Sequence, residues 1–310
     1  MILPGRPFAP PFSLEAAMRL HHSGTFAADL NYESPLYIRM DKVEREALNS
    51  CLWHHETYHL LDTAPRNFRH IRESGVEPIF DFGPREIEKD SATRYARFLE
   101  NDPDLVFFPI SLHVAGDPAR NWQLLKTMES AGAKPCPIVC VGDGPDVINY
   151  YIHNYTRVSV GGFAGVPTAQ ARAWLDRFWS IVVDVNGKPT REFHACMLPF
   201  ELRDYPWTSA HSQWWLHAAR GGMILLPKNG QLLDISPISN RVKTAGAHYQ
   251  TLPQMERHTV DALIKSKGFD PERLGRLLVS RMAWNLMAYT EHLEQNPVPR
   301  TFGGAVMELF

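Results

Sequence analysis

Two stretches of this 310-residue chain carry side chains whose types and spacing could do chemistry. The first runs from Tyr205 to Trp215 as Tyr-Pro-Trp-Thr-Ser-Ala-His-Ser-Gln-Trp-Trp, where three tryptophans and a tyrosine alternate with small hydroxyls around one imidazole, His211. Such a mixture suits a planar ligand stacked beside a titratable group. It equally suits the start of a core helix, with Trp214 and Trp215 packed inward and Ser209 as the cap. The second stretch is His55-Glu56-Thr57-Tyr58-His59, a literal H-E-x-x-H. On a helix this spacing puts His55 and His59 on one face for zinc with Glu56 as base, the arrangement of a zinc hydrolase. That chemistry needs a helix and a third ligand. The nearest downstream glutamates, Glu73 and Glu77, surround a predicted strand start, and His54 next door points instead to a His-rich surface segment.

The bulk composition narrows the setting for either cluster. Apolar residues make up 44% and charged residues 21%, enough for a full hydrophobic core in a globular chain. The sequence contains no run of 18 apolar residues and no basic segment followed by an apolar one, so the expectation is a cytoplasmic protein with no membrane span and no signal peptide. Cys51, Cys136, Cys140 and Cys196 form no C-x-x-C pair, which fits a reducing compartment, and Cys136 and Cys140 read as small buried hydrophobes. With a net charge of −2 there is no global attraction to nucleic acid, so a polyanion contact must come from a local patch. Arg66, Arg69, His70 and Arg72 form one candidate, and Arg241 with Lys243 another.

The elements that must position these residues follow from hydrophobic period. From residue 76 onward short β-branched or aromatic runs alternate with helical segments, the pattern of successive βα units. Strands are predicted at Val76–Asp81, Leu105–Val114, Pro137–Val141, Arg157–Val160, Phe193–Met197 and Met223–Leu226. Helices are predicted at Glu86–Glu100, Ala119–Ser130, Asp146–His153 and Thr168 to about Ser180. An earlier unit between about residues 25 and 60 brings the total near eight, which favours a closed (β/α)8 TIM-type barrel over an open doubly wound sheet. Helices from about Pro253 to Lys267 and from Pro271 to Gln295 close the chain, and Pro4, Pro7, Pro10 and Pro11 make an irregular N-terminal arm over about residues 1–24. The reading is one domain spanning 1–310.

In a barrel, function collects at the carboxyl ends of the strands. The residues there are Asp81 and Gly83; His113, Gly116 and Asp117; Cys140, Gly142 and Asp143; Gly161 and Gly162; Cys196 and Met197; and His211 and Ser212. Singly, each reads as a turn or capping residue; their recurrence on one predicted face marks them as a set.

Phe-Asp-Phe-Gly at 80 to 83, Ile-Ser-Leu-His-Val-Ala-Gly-Asp-Pro at 110 to 118, Pro-Ile-Val-Cys-Val-Gly-Asp at 137 to 143, Val-Gly-Gly-Phe-Ala-Gly at 160 to 165 and Tyr-Pro-Trp-Thr-Ser-Ala-His-Ser at 205 to 212 occur in this order. Together they resemble the tRNA-guanine transglycosylase superfamily, especially its phage and bacterial DNA 7-deazaguanine transglycosylase branch. A late helix with Arg281 and Asn285 also fits, and the resemblance covers roughly residues 76 to 290. It implies a (β/α)8 barrel that breaks the N-glycosidic bond of guanine in a nucleic acid, DNA rather than RNA, and installs a 7-deazaguanine such as a preQ-type precursor. In that family one aspartate attacks the anomeric carbon and a second handles protons and holds the base. By motif position Asp81 is the second aspartate; His113, Asp117, Cys140, Gly161, Gly162 and Ser212 line the base site, with the paired glycines bringing backbone close to the base.

The chain departs from the motif at two positions, because the aspartates expected at 113 and at 211 are both histidines. A neutral imidazole can attack or accept a proton but lacks the charge that stabilises an oxocarbenium-like centre. His211, as nucleophile or base, is expected at the reacting centre with Asp81 opposite. The alternatives are a protein that binds a base or nucleotide without exchange, an N-glycosidase on the same barrel, and the zinc hydrolase of His55 and His59. No cofactor is required on the preferred reading, and the C-x-C-x-x-C zinc site of the family's tRNA-modifying members does not occur here.

Overall fold

The computed structural model describes residues 18–23, 38–49, 53–57, 77–82, 86–101, 108–239, 242, 244 and 246–303. The elements in chain order are β1 (Arg19–Ser23), α1 (Lys42–Asn49), β2 (Trp53–Thr57), β3 (Glu77–Asp81), α2 (Ser91–Asn101), β4 (Phe108–Pro109), α3 (Pro118–Ser130), β5 (Ile138–Cys140), α4 (Pro145–Asn154), β6 (Arg157–Gly161), α5 (Thr168–Val182), β7 (Glu192–Ala195) and β8 (Ser209–Ser212). They continue as α6 (Trp214–Arg220), β9 (Met223–Leu226), β10 (Gln231–Asp234), α7 (Gln254–Ser266), α8 (Pro271–Arg276) and α9 (Leu278–Gln295). The chain divides into two compact units. One comprises Met1–Ala27, Trp53–Ser212 and Val298–Phe310; the other comprises Ala28–Leu52 and Gln213–Pro297.

The first unit is an α/β structure built on an eight-stranded sheet in the order β4-β3-β2-β1-β8-β7-β6-β5. Every ladder in it is parallel. Beyond the two end strands of this order, a parallel bridge joins Ile110, just after β4, to Cys136, just before β5. Ser111 N donates to Cys136 O at 2.9 Å, and Cys136 N donates to Pro109 O at 2.7 Å.

Alternation explains why these sequences make parallel strands. Successive strand residues face opposite ways, and both faces are covered. Val139, Val158, Val160, Phe193, Ala195 and Ala210 pack with Leu125, Ile148, Trp174, Leu175, Phe178 and Trp179 of the helices. The intervening residues Ile79, Phe108, Ile110, Cys136, Ile138, Cys140 and Cys196 form a separate buried cluster. Trp179 anchors the helical side: its ring lies 5.2 Å from Phe193, 5.1 Å from Trp207 and 6.3 Å from Tyr205. Trp207 Nε1 donates to Leu202 O at 3.0 Å, and Tyr205 Oη donates to Asp176 Oδ1 at 2.7 Å. Tyr205 and Trp207 are therefore core, since their polar tips are already bonded within the protein.

Several expectations need correction. Met223–Leu226 does not continue the parallel series; β9 pairs antiparallel with β10 in the second unit, because the short connection to Gln231 permits a hairpin and no crossover. Ser209 lies inside β8, and Gln213 is the residue that precedes α6. The helix expected from Pro271 to Gln295 breaks at Leu277, whose backbone is extended (φ −107°, ψ 123°). The H-E-x-x-H segment starts on a strand, with His55 and Glu56 inside β2, so the single helical face that a zinc hydrolase needs does not form. The N-terminal arm expected to be irregular over about residues 1–24 is not irregular throughout: past its last proline, Pro11, Arg19–Ser23 forms β1 and pairs with β2 and β8. Residues 1–17 of the arm, His59, Gly83 and the patches at Arg66, Arg69, His70, Arg72, Arg241 and Lys243 lie outside the described residues.

The second unit buries Met40, Leu48, Trp215, Leu216, Ala219, Val279, Met282 and Leu286 together. Glu44, 1% exposed, accepts from Arg273 Nη2 at 2.9 Å and from the Ser280 hydroxyl. Arg281 donates to the carbonyls of Ala219, Leu274 and Gly275, and Asn285 bonds Leu225 N, Trp215 O and Met223 O. These two residues, part of the family resemblance, act here as clamps on backbone. No described helix is long and apolar enough to cross a membrane.

Replacing Trp179 with Ala should destabilise the protein by about 3–5 kcal/mol in denaturant unfolding. The same change at Trp122, 45% exposed, should stay within about 0.5 kcal/mol. Equal losses at the two positions would contradict the core assignment.

Candidate active site at the carboxyl ends of the parallel strands

Polar residues occupy the sheet face opposite the helices near the ends of β3, β7 and β8. On β7 and just beyond it, His194 and Cys196 are two residues apart and so share a face; on β8, Ser209 and His211 do the same. The register pairs His194 with Ser209 across the ladder. His194 Nδ1 lies 2.8 Å from Ser209 Oγ, and His194 Nε2 lies 2.8 Å from His211 Nδ1. The two imidazole rings are 5.0 Å apart at 28°, and the Phe108 ring meets His194 edge-on at 5.0 Å. Both histidines are 0% exposed. On the other side of β8, backbone register sets His21 of β1 beside His211, and Ser23 beside His55 of β2.

One proton sits between the two rings, and its position sets the rest of the chain. If His194 Nε2 carries it, His194 Nδ1 accepts from the Ser209 hydroxyl and His211 Nδ1 is an acceptor. If His211 Nδ1 carries it, His194 must donate from Nδ1 to Ser209, and His211 Nε2 holds a lone pair. The rings cannot both be fully protonated while this contact lasts, so the pair carries at most one positive charge.

Cys196 closes the group: one ligand atom from each of His194, Cys196 and His211 lies within 4.8 Å of the others, and all three residues are buried. Burial pushes the Cys196 thiol well above its usual range, with neighbouring Cys136 and Asp81 adding to the effect and a hydrogen bond from Ser159 opposing it. Met197, immediately after, has φ of 51° and is 43% exposed, a left-handed conformation that a non-glycine residue adopts only under constraint. The chain is held there by Leu198 N, which donates to His211 O at 2.9 Å, and by the Ser212 hydroxyl, which donates to Leu198 O at 3.1 Å. Ser212 is thus a brace between the ends of β7 and β8.

Asp81 ends β3, and its charge is felt by groups on three other segments. It raises the buried Tyr95 phenol and the Cys196 thiol, and it opposes the fall at His113. Burial drives His113 below the ordinary imidazole range, with the Asp81 carboxylate and a hydrogen bond from the ring to the Ser111 backbone offsetting part of that shift. The loop carrying His113 is pinned by Asn121 of α3, whose Oδ1 accepts from Val114 N at 2.6 Å and whose Nδ2 donates to Val114 O at 3.1 Å. Asp81, His113 and the group around Cys196 therefore belong to one neighbourhood.

Other expected site residues take structural roles. Asp117 caps α3 by accepting from Arg120 N at 3.0 Å. Asp143 closes the turn after β5, its Oδ2 accepting from Cys140 N at 2.8 Å. Cys140 is fully buried, and desolvation pushes its thiol up to about 12 with Asp143 contributing. The paired glycines do bring backbone close, but to the protein itself. A Cβ on Gly161 would stand 2.9 Å from Ile138 Cδ1 and 3.2 Å from Cys196 Cβ; one on Gly162, at φ 78°, would stand 3.1 Å from both Cys140 Cβ and Val141 N. The residues that sequence reasoning passed over are His194 and Asn121. His194 was visible as an imidazole on the same strand face as Cys196, where the pattern elsewhere is apolar; Asn121 gave no signal distinct from an ordinary helix.

A depressed His113 means that the unfolded chain takes up a proton more readily than the folded one. Stability should then be fully present above the unfolded imidazole range, near 6.5, and fall as pH drops through it toward the lower folded value. The melting temperature of wild type should drop further between pH 7.5 and 5.5 than that of His113→Gln. Parallel curves would show that His113 is not buried as described.

No family model matches the chain, and no curated protein matches it. Among solved structures it is similar to tryptophan synthase from M. tuberculosis at 10% identity, covering 66% of this chain and 86% of that one, with a TM-score of 0.39. It is also similar to the carboxyl transferase domain of Rhizobium etli pyruvate carboxylase at 10% identity, covering 89% of this chain and 47% of that one, with a TM-score of 0.39.

Proposed function

We propose that the protein is a glycosyl-transferring enzyme that exchanges guanine in a nucleic acid, DNA in preference to RNA, for a 7-deazaguanine, on a (β/α)8 barrel. The observation that carries this reading is the grouping of Asp81, His113 and His211 near the ends of β3, β4 and β8, because these residues lie in the motifs that resemble the transglycosylase superfamily. For the closed barrel, the support is the bridge from Ile110 to Cys136, which links the two end strands of the sheet order.

The roles shift relative to the motif pattern. His211 is 0% exposed and its Nδ1 contacts His194, so a substrate sugar meets Asp81 and His113, both half-buried, before it meets His211. On this reading an Asp81 oxygen bonds to the anomeric carbon, the bond from that carbon to guanine N9 breaks, and its electron pair stays on N9. His113 passes a proton to the departing base. The incoming 7-deazaguanine then returns a proton to His113 as its N9 displaces Asp81, so the enzyme ends as it began. The target base must leave the duplex for its anomeric carbon to be reached.

Incubation with DNA carrying labelled guanine and a preQ-type 7-deazaguanine tests the reading. Wild type should release label and incorporate the new base, Asp81→Asn should lose both, and His113→Gln should slow exchange by about 10²-fold or more. Exchange that survives Asp81→Asn, or a wild type that only binds the base, would overturn it.

A further inference from the structure

We propose that His194, Cys196 and His211 form a binding site for one divalent transition metal ion of the zinc class. Two imidazoles and a thiol are the donor set that such ions select, and calcium or magnesium would require oxygen ligands instead. The donor atoms lie within 4.8 Å of one another, and all three side chains are buried. They stand at the ends of two adjacent strands joined by a ladder, so their spacing is fixed by backbone pairing. Ser209 already contacts His194 Nδ1, the outer hydrogen bond that orients a ligating imidazole.

The distances define what loading must change. Two nitrogens on a tetrahedral ion, each about 2.0–2.1 Å from it, stand roughly 3.3 Å apart. His194 Nε2 and His211 Nδ1 are closer than that, at 2.8 Å. The ion therefore replaces the proton shared by the rings, and the nitrogens separate by about half an ångström. Three protein ligands leave one position of a four-coordinate ion for water or another small donor. This site is separate from the H-E-x-x-H segment, none of whose residues it uses. Nor does it depend on the glycosyl-transfer reading, in which Asp81 and His113 do the chemistry.

Titrating the purified full-length protein with Co2+ tests the proposal by spectroscopy, without an activity assay. Wild type should take up one equivalent and show a sulfur-to-cobalt charge-transfer band together with the visible bands of tetrahedral cobalt. The charge-transfer band should disappear in Cys196→Ser and persist in Cys51→Ser and Cys140→Ser. His211→Gln should weaken binding by more than about 100-fold, beyond the effect of an outer-sphere change, and Zn2+ should displace the cobalt. A wild type that shows no sulfur-to-cobalt band at saturating Co2+ overturns the proposal, and so does a band that survives Cys196→Ser. If Cys196→Ser does not fold, the wild-type spectrum and His211→Gln decide the matter alone.

Discussion

Burial of both faces of a parallel sheet is the constraint on which the rest of this structure depends. Backbone amides are satisfied by the ladders, but a polar side chain on either face has no water to turn to and must find its partners among its neighbours. On the face against α3 to α5 that condition is met by omission, with valine, alanine and aromatic residues throughout. On the other face it is met by contact, through Cys136 with Ser159 and through Ser209, His194 and His211 in line. The bonding of His194 and His211 there depends on which of the two rings holds the shared proton. That dependence makes the group chemically informative.

The same constraint separates two kinds of polar side chain at the strand ends. Asp117, Asp143, Ser212, Arg281 and Asn285 are all polar residues at motif positions, and each is bonded to nearby backbone. Asp81, His113 and Cys196 differ in kind. His113 and Cys196 are perturbed by burial and by the Asp81 charge, and the three come from separate strands or strand-following loops. Convergence from distant parts of the sequence, more than polarity at a strand end, distinguishes the group.

Much of the fold was legible because the hydrophobic period changes cleanly at each element. The helices at Pro118–Ser130, Pro145–Asn154 and Thr168–Val182 and the strands at Ile138–Cys140 and Arg157–Gly161 lie within a residue or two of where the pattern puts them. Met223–Leu226 misled because a short apolar run carries no information on strand direction; only its partner, Gln231–Asp234, decides that. The H-E-x-x-H spacing misled for a related reason, since it is a statement about a helix and β2 is extended. At the site, Asp81 and His211 could be found as polar ends of apolar strands. His194 showed only as an imidazole on the strand face of Cys196; its contacts with Ser209 and His211 cross between strands, and linear spacing does not encode them.

The order of the strands has a consequence for how the molecule comes together. Among the described residues most ladders join strands close in sequence, as β5 joins β6, and only the β1–β8 ladder joins residues as far apart as His21 and His211. Closing a segment of roughly 190 residues instead of about 25 costs about 2 kcal/mol more in chain entropy. Pairing across that seam should therefore come late in folding, after the local βα units have formed. β8 carries Ser209 and His211, so the strand that completes the histidine group is also the one whose second partner arrives last. A nascent or partly opened chain would hold β7 and its His194 in place while the outer edge of β8 stays unpaired, and the imidazole pair would gain its rigid geometry only when the two ends of the unit meet.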